Sequence, residues 1–92
     1  YHIHILPNVT LEADAARSLG DLPKPIKSRV VELLARLADW PHVSGARALR
    51  GNLAGHYRLR TGDYRMQFRI DAGQVVIERV GHRDGFYEGD EA

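Results

Sequence analysis

Residues 56–80 read HYRLRTGDYRMQFRIDAGQVVIERV, and the period of this stretch decides the fold. His56 to Arg60 alternates apolar with charged, Thr61-Gly62-Asp63 turns, and Tyr64 to Ile70 alternates again. Asp71-Ala72-Gly73 is a second tight turn, and Gln74 to Val80 is rich in β-branched residues. Alternation of period two broken by Gly-Asp and Ala-Gly pairs is the pattern of an antiparallel meander. Tyr64, Met66, Phe68 and Ile70 share one face and Arg65, Gln67 and Arg69 the other, with Arg58 and Arg60 opposing Tyr57 and Leu59 on the neighbouring strand. Arg65 is therefore expected on an exposed face, where its removal leaves the core intact.

Upstream the period is different. Tyr1 to Leu6 alternates and reads as a short strand ended by Pro7-Asn8. Asn8 or Thr10 is placed to cap a helix in which Leu11, Ala15 and Leu19 recur every fourth residue, and Gly20 to close it. After a turn over 21–25, Ile26, Val30, Leu33, Leu34 and Leu37 form one apolar stripe on a second helix. Trp40-Pro41 stops that helix, because proline disfavours helical geometry in the residue before it. Residues 42–55, with three glycines, read as a connecting loop. The order β-α-α-β-β-β predicts an α+β fold in which an antiparallel curved sheet packs against a two-helix hairpin.

Ninety-two residues with 43% hydrophobic side chains suffice for a single domain over 1–92 and one core, without disulfides, since cysteine is absent. A mean hydropathy of −0.37 and the lack of a long apolar run exclude a membrane-spanning helix. No basic segment leading into an apolar stretch opens the chain, so secretion has no support and a cytoplasmic location is expected. Starting at Tyr1 suggests that a few N-terminal residues are missing.

The net charge of +1 conceals a division. Residues 1–46 balance five basic against five acidic side chains, residues 47–83 carry eight arginines against three acids, and residues 84–92 carry four acids. A basic second half made only of arginine suits phosphate, because the planar guanidinium fork matches its oxygens. Arginines on a solvated sheet face also serve solubility alone. His2 and His4 share a strand parity, but the sequence places no third ligand beside them, so no metal is expected. The segment from Val80 to Tyr87 gathers His82, Arg83, Phe86 and Tyr87. Metal-free RNA cleavage needs such groups: cations for the phosphorane, a proton carrier, and a ring to stack on a base. The same residues also read as anchors for a tail.

Three stretches together resemble the RelE/ParE superfamily of bacterial type II toxins, and its RelE-like, mRNA-cleaving branch in particular. They are Leu49-Arg-Gly51, then Tyr57-Arg-Leu-Arg60 with Gly62-Asp-Tyr-Arg65, then Val80-Gly-His-Arg83 with Tyr87. The resemblance implies a RelE-like microbial RNase fold and a ribosome-dependent endoribonuclease that cuts mRNA in the A site without a cofactor. By that resemblance Arg58, Arg60, Arg65, Arg83 and Tyr87 are the catalytic positions, and Arg47, Arg50 and His82 contact RNA. Arginine at 58 and 60, where the family's best-known type has lysine, removes a free-amine base. His82 then competes with Arg83 and Tyr87 as proton donor. The implied partners are a cognate antitoxin, mRNA on the ribosome with 16S rRNA contacts, and operator DNA only through the antitoxin; no membrane is involved. The alternatives are a ParE-like toxin that inhibits DNA gyrase by protein contact, and a decayed toxin that only binds antitoxin.

Overall fold

The computed structural model describes residues 2–6, as backbone, and residues 8–82. Six strands and two helices follow in the order β1 (His2–Leu6), β2 (Val9–Glu12), α1 (Ala13–Gly20), α2 (Lys24–Leu37), β3 (Arg47–Ala48), β4 (His56–Thr61), β5 (Tyr64–Asp71) and β6 (Gln74–His82). They form one sheet in the spatial order β1-β2-β6-β5-β4-β3. The α+β class and the helices' place on one face of a sheet agree with the sequence reading. Three details differ.

The first is the start of α1. Thr10 and Leu11 lie on β2, not on a helix, and the helix begins at Ala13. Val9, Thr10 and Leu11 pair with Val75, Val76 and Ile77, so local helical spacing yields to a β-branched ladder buried from both sides. That pairing is parallel, which makes the sheet mixed rather than antiparallel throughout. Every other pair is antiparallel. The second difference lies in 42–55, where Arg47 and Ala48 form a short edge strand opposite Arg58 and Tyr57. The third lies in 80–82, where Gly81 and His82 extend β6, read from sequence as Gln74 to Val80, opposite Arg65 and Tyr64.

The core lies between the helices and one sheet face. Val30, Leu33, Leu34 and Leu37 of α2 and Ala15 of α1 meet Leu59, Met66, Phe68, Val75, Ile77 and Val80 of the sheet. Trp40 closes one end, its ring edge-on to Tyr57 at 4.8 Å and to Phe68 at 5.3 Å. Val75, Ile77 and Val80 break the alternation, and a bulge explains it. Gln67 pairs with Arg79 and Phe68 with Ile77, so Glu78 is the extra residue and Val80 returns to the core face.

The β5–β6 hairpin carries a local strain. Its two-residue loop is Ala72-Gly73, with φ of +52° and +81°. Two left-handed residues are what a type I′ hairpin turn requires, and alanine pays a steric cost that asparagine or glycine avoids. Ala72→Asn should therefore stabilise the chain by up to about 1 kcal/mol, raising Tm by several degrees. A thermal melt showing no gain would mean that the turn relaxes to another type.

Candidate functional site, an arginine-walled cleft

The meander, the edge strand and the end of α2 converge on a cleft of about 490 Å³. Among the described residues its lining is Arg36, Ser44, Gly45, Arg47, Arg58, Leu59, Arg60 and Arg65, which is five arginines and no carboxylate. Pairing explains the convergence. Arg60 sits opposite Arg65 across β4 and β5, and Arg47 sits opposite Arg58 across β3 and β4. Cross-strand partners lie about 5 Å apart at the backbone, so four cations from three strands are forced onto one face. Like charges placed so closely repel, which an anion in the cleft relieves.

Arg65 is not exposed as its strand parity suggests; only 7% of its surface is accessible. The Gly62-Asp63 turn, with Gly62 at φ +59°, folds the chain back so that the Arg65 Nη1 donates to the Gly62 carbonyl at 3.1 Å and to the Tyr64 carbonyl at 3.4 Å. A guanidinium anchored to turn carbonyls keeps its charge in a set position, which is what electrostatic stabilisation of a reacting group needs. Arg60 and Arg47 are exposed and Arg58 is half-buried.

The arginine face does not extend over the whole sheet. Arg69, expected beside Arg65 on an open cationic surface, donates to Glu12 at 2.7 Å and to Glu78 at 2.9 Å. Glu78 also accepts from His56 at 2.7 Å and from Gln67 at 3.1 Å. Hydrogen bonds first to Glu12 and then to Glu78 raise the Arg69 pKa. Burial pushes the Glu78 carboxyl up, but hydrogen bonds from Gln67, His56 and Arg69 together hold it below its ordinary value. Arg69 is thus held in a carboxylate network around Glu78, apart from the arginines that line the cleft. Sequence reading missed Glu78 because the bulge decides which way it points.

Of the other residues singled out in sequence, Arg50 is exposed just before a single 3-10 turn over Gly51–Leu53 and does not line the cleft. The His82 ring packs edge-on against Tyr64 at 5.1 Å, on the strand parity of Met66 and Val80, and lies outside the cleft lining. Arg83 and Tyr87 lie outside the described residues. Arg36 is the cleft residue that strand alternation could not find, since it comes from a helix. No three His, Cys, Asp or Glu side chains group as a metal site among the described residues. No helix among them is long and apolar enough to cross a membrane.

Comparison with known proteins places this geometry in a family. The family described as ParE toxin of type II toxin-antitoxin system, parDE, matches residues 9–85. Toxin RelE of Mycobacterium tuberculosis is 37% identical over 83 residues, covering 87% of this chain and 84% of that protein. Toxin RelG of the same organism is 37% identical over 81 residues, covering 86% of this chain and 93% of that protein. In the crystal structure of the RelBE2 toxin–antitoxin complex from Mycobacterium tuberculosis, the matching chain is 39% identical with a TM-score of 0.73, over 83% of this chain and 96% of that one. Matching in profile, in sequence over most of its length and in fold, the chain belongs to the RelE/ParE superfamily and is a toxin of the type II toxin–antitoxin class.

Proposed function

We propose that this toxin is an endoribonuclease that cleaves mRNA on the ribosome, and that the arginine-walled cleft is where the scissile phosphate sits. The observation that carries this reading is the convergence of Arg58, Arg60 and Arg65, with Arg47, on one cleft whose described lining includes no carboxylate. Five arginines drawn from one helix and three strands into one cleft suit a polyanion.

In the proposed reaction the 2′-hydroxyl loses its proton and its oxygen bonds to the adjacent phosphorus. The bond from phosphorus to the 5′-oxygen breaks, and that oxygen takes up a proton. The products are a 2′,3′-cyclic phosphate and a 5′-hydroxyl. Arg65, fixed by the turn carbonyls, stabilises the charge that builds on the phosphorane. Arg58 and Arg60 orient the backbone and make the 2′-hydroxyl more acidic through their charge. Arginine stays protonated at any working pH, so proton removal falls to the substrate or to ribosomal RNA. Arg83 would complete the clamp on the phosphate and Tyr87 would stack on or orient a base, by the family resemblance.

The partner proposed is a cognate antitoxin, since the related M. tuberculosis toxin is seen in complex with one. A second reading has a specific motive: the family that matches residues 9–85 is described by the name ParE. A ParE-like toxin would inhibit DNA gyrase by protein contact and would need no phosphate clamp. Inducing the chain in bacteria separates the two. New transcript 5′ ends within codons are expected for the ribonuclease, and altered DNA supercoiling with intact transcripts would establish the other.

Salt dependence gives an independent check. If Arg47 holds an RNA phosphate, RNA binding should weaken steeply with ionic strength, and Arg47→Ala should lower the slope of log K against log salt by about 0.7 for single-stranded RNA. Fluorescence anisotropy of a labelled RNA over a salt series measures it, and a salt-independent affinity would exclude a polyanion site.

A further inference from the structure

We propose that Arg36, in the last turn of α2, holds an RNA phosphate next to the scissile one, making with Arg47 an outer phosphate subsite that the sheet alone does not provide. This rests on the ribonuclease reading of the same cleft.

Arg36 and Arg47 line the same cleft. Arg36 is exposed, and its Nη2 donates to the Ser44 carbonyl at 2.8 Å and lies 3.4 Å from the Ser44 Oγ. Ser44 and Gly45 themselves line the cleft, and Gly45 packs close to Leu59, where an added Cβ would stand 3.5 Å from the leucine side chain. The segment that leads from α2 into β3 is therefore drawn against β4 with Arg36 as its clasp. Both recorded contacts of Arg36 use one nitrogen of a group with five N–H donors, so the rest of the fork stays available for a ligand.

Charge separates Arg36 from the chain's structural arginines. Arg17 pairs with Asp14 at 2.9 Å, and Arg69 pairs with Glu12 and Glu78. Among the described residues no carboxylate comes within 4.0 Å of Arg36 or Arg47. Neither needs its charge to satisfy a neighbour in the fold. The cations run from Arg65 on β5, through Arg60 and Arg58 on β4, to Arg47 on β3, and Arg36 of α2 lines the same cleft. Neighbouring strands lie about 4.8 Å apart, so this run is longer than one phosphate can occupy. A phosphodiester chain presents its charges in such a row. Because the lining among the described residues includes no aromatic side chain, the subsite reads backbone and not base.

A merely structural role predicts something different from a phosphate contact. Arg36→Gln keeps an N–H donor for the Ser44 carbonyl and loses the charge, whereas Arg36→Lys keeps the charge. The charge-matched control is Arg17→Ala, on α1 and outside the cleft. The probe is a 5′-labelled single-stranded RNA decamer, titrated by anisotropy at several KCl concentrations, beside single-turnover cleavage on programmed ribosomes. Arg36→Gln should lower the salt slope by about 0.7 and raise the half-saturating concentration several-fold, with the maximal rate nearly unchanged. Arg36→Lys should keep the wild-type slope, and Arg17→Ala should keep both slope and half-saturation. A wild-type slope for Arg36→Gln, or equal loss in Arg36→Gln and Arg36→Lys, overturns the subsite. If Arg65→Ala collapses cleavage while the Arg36 variants match wild type, only this inference falls. If the wild-type chain never cleaves, the ribonuclease reading falls and takes the subsite with it.

Discussion

Arg65→Ala should reduce single-turnover cleavage on programmed ribosomes by about 100- to 1,000-fold, the cost of losing one preorganised charge at a reacting centre. Arg65→Lys should recover only part of that, since an ammonium cannot keep two anchoring bonds and offer a fork to phosphate as well. The burial of Arg65 changes how the experiment must be read. A surface substitution would shift stability by no more than about 0.5 kcal/mol, but Arg65 is 7% accessible and bonded to Gly62 and Tyr64 carbonyls. Its loss also strands those acceptors, at a cost of about 1–3 kcal/mol. Each variant therefore needs a melting curve, and rates should be taken well below its Tm. A folded Arg65→Ala that cleaves at the wild-type rate removes this residue from the mechanism.

The largest stability effect outside the apolar core is expected at Glu78. Its carboxylate, with a side chain 14% accessible, is the shared acceptor of His56, Gln67 and Arg69. Glu78→Ala leaves a cation and two polar groups on β4 and β5 without that partner, and should cost about 3 kcal/mol. In a domain of this size that lowers Tm by roughly 10–20 °C. The same carboxyl predicts the direction of acid sensitivity. Held below its ordinary value in the folded chain, it stabilises fully above the unfolded carboxylate range near pH 4–4.5, and that contribution is lost as pH falls through the folded value. Urea denaturation from pH 7 to 3 should show the wild type losing stability at the acid end and Glu78→Gln losing less. Parallel acid profiles for the two would show that the network does not depend on ionised Glu78.

The meander was legible from alternation alone, because each two-residue turn fixes its register and Leu59, Met66 and Phe68 can satisfy only one face. The stripe of α2 was legible for the same reason at helical period. Thr10 and Leu11 were not, since their state is decided by Val75 to Ile77, far along the chain. Within the site, cross-strand arithmetic from the two turns brings Arg58, Arg60 and Arg65 together, and the family pattern points to the same residues. Alternation does not reveal that Arg65 is buried, since burial depends on how turn carbonyls and neighbouring strands close over it. Glu78 was hidden by a bulge, which shifts parity without a signature in composition. Arg36 was hidden because its neighbours in the cleft belong to other elements.

The parallel pairing of β2 with β6 has a consequence for biogenesis. The last of the described strands in sequence lies inside the sheet, and the N-terminal hairpin has nowhere to dock until Val75, whose N–H donates to the Asn8 carbonyl, has been made. Such long-range closure is slow relative to local helix formation. A nascent chain still attached to its ribosome, with β6 inside the exit channel, would hold β5 as an open edge and Arg65 without one flanking strand. The sheet that positions Arg65 is thus closed only when residues 74–82 have left the ribosome, so the folding of this face waits on β6 and not on the helices.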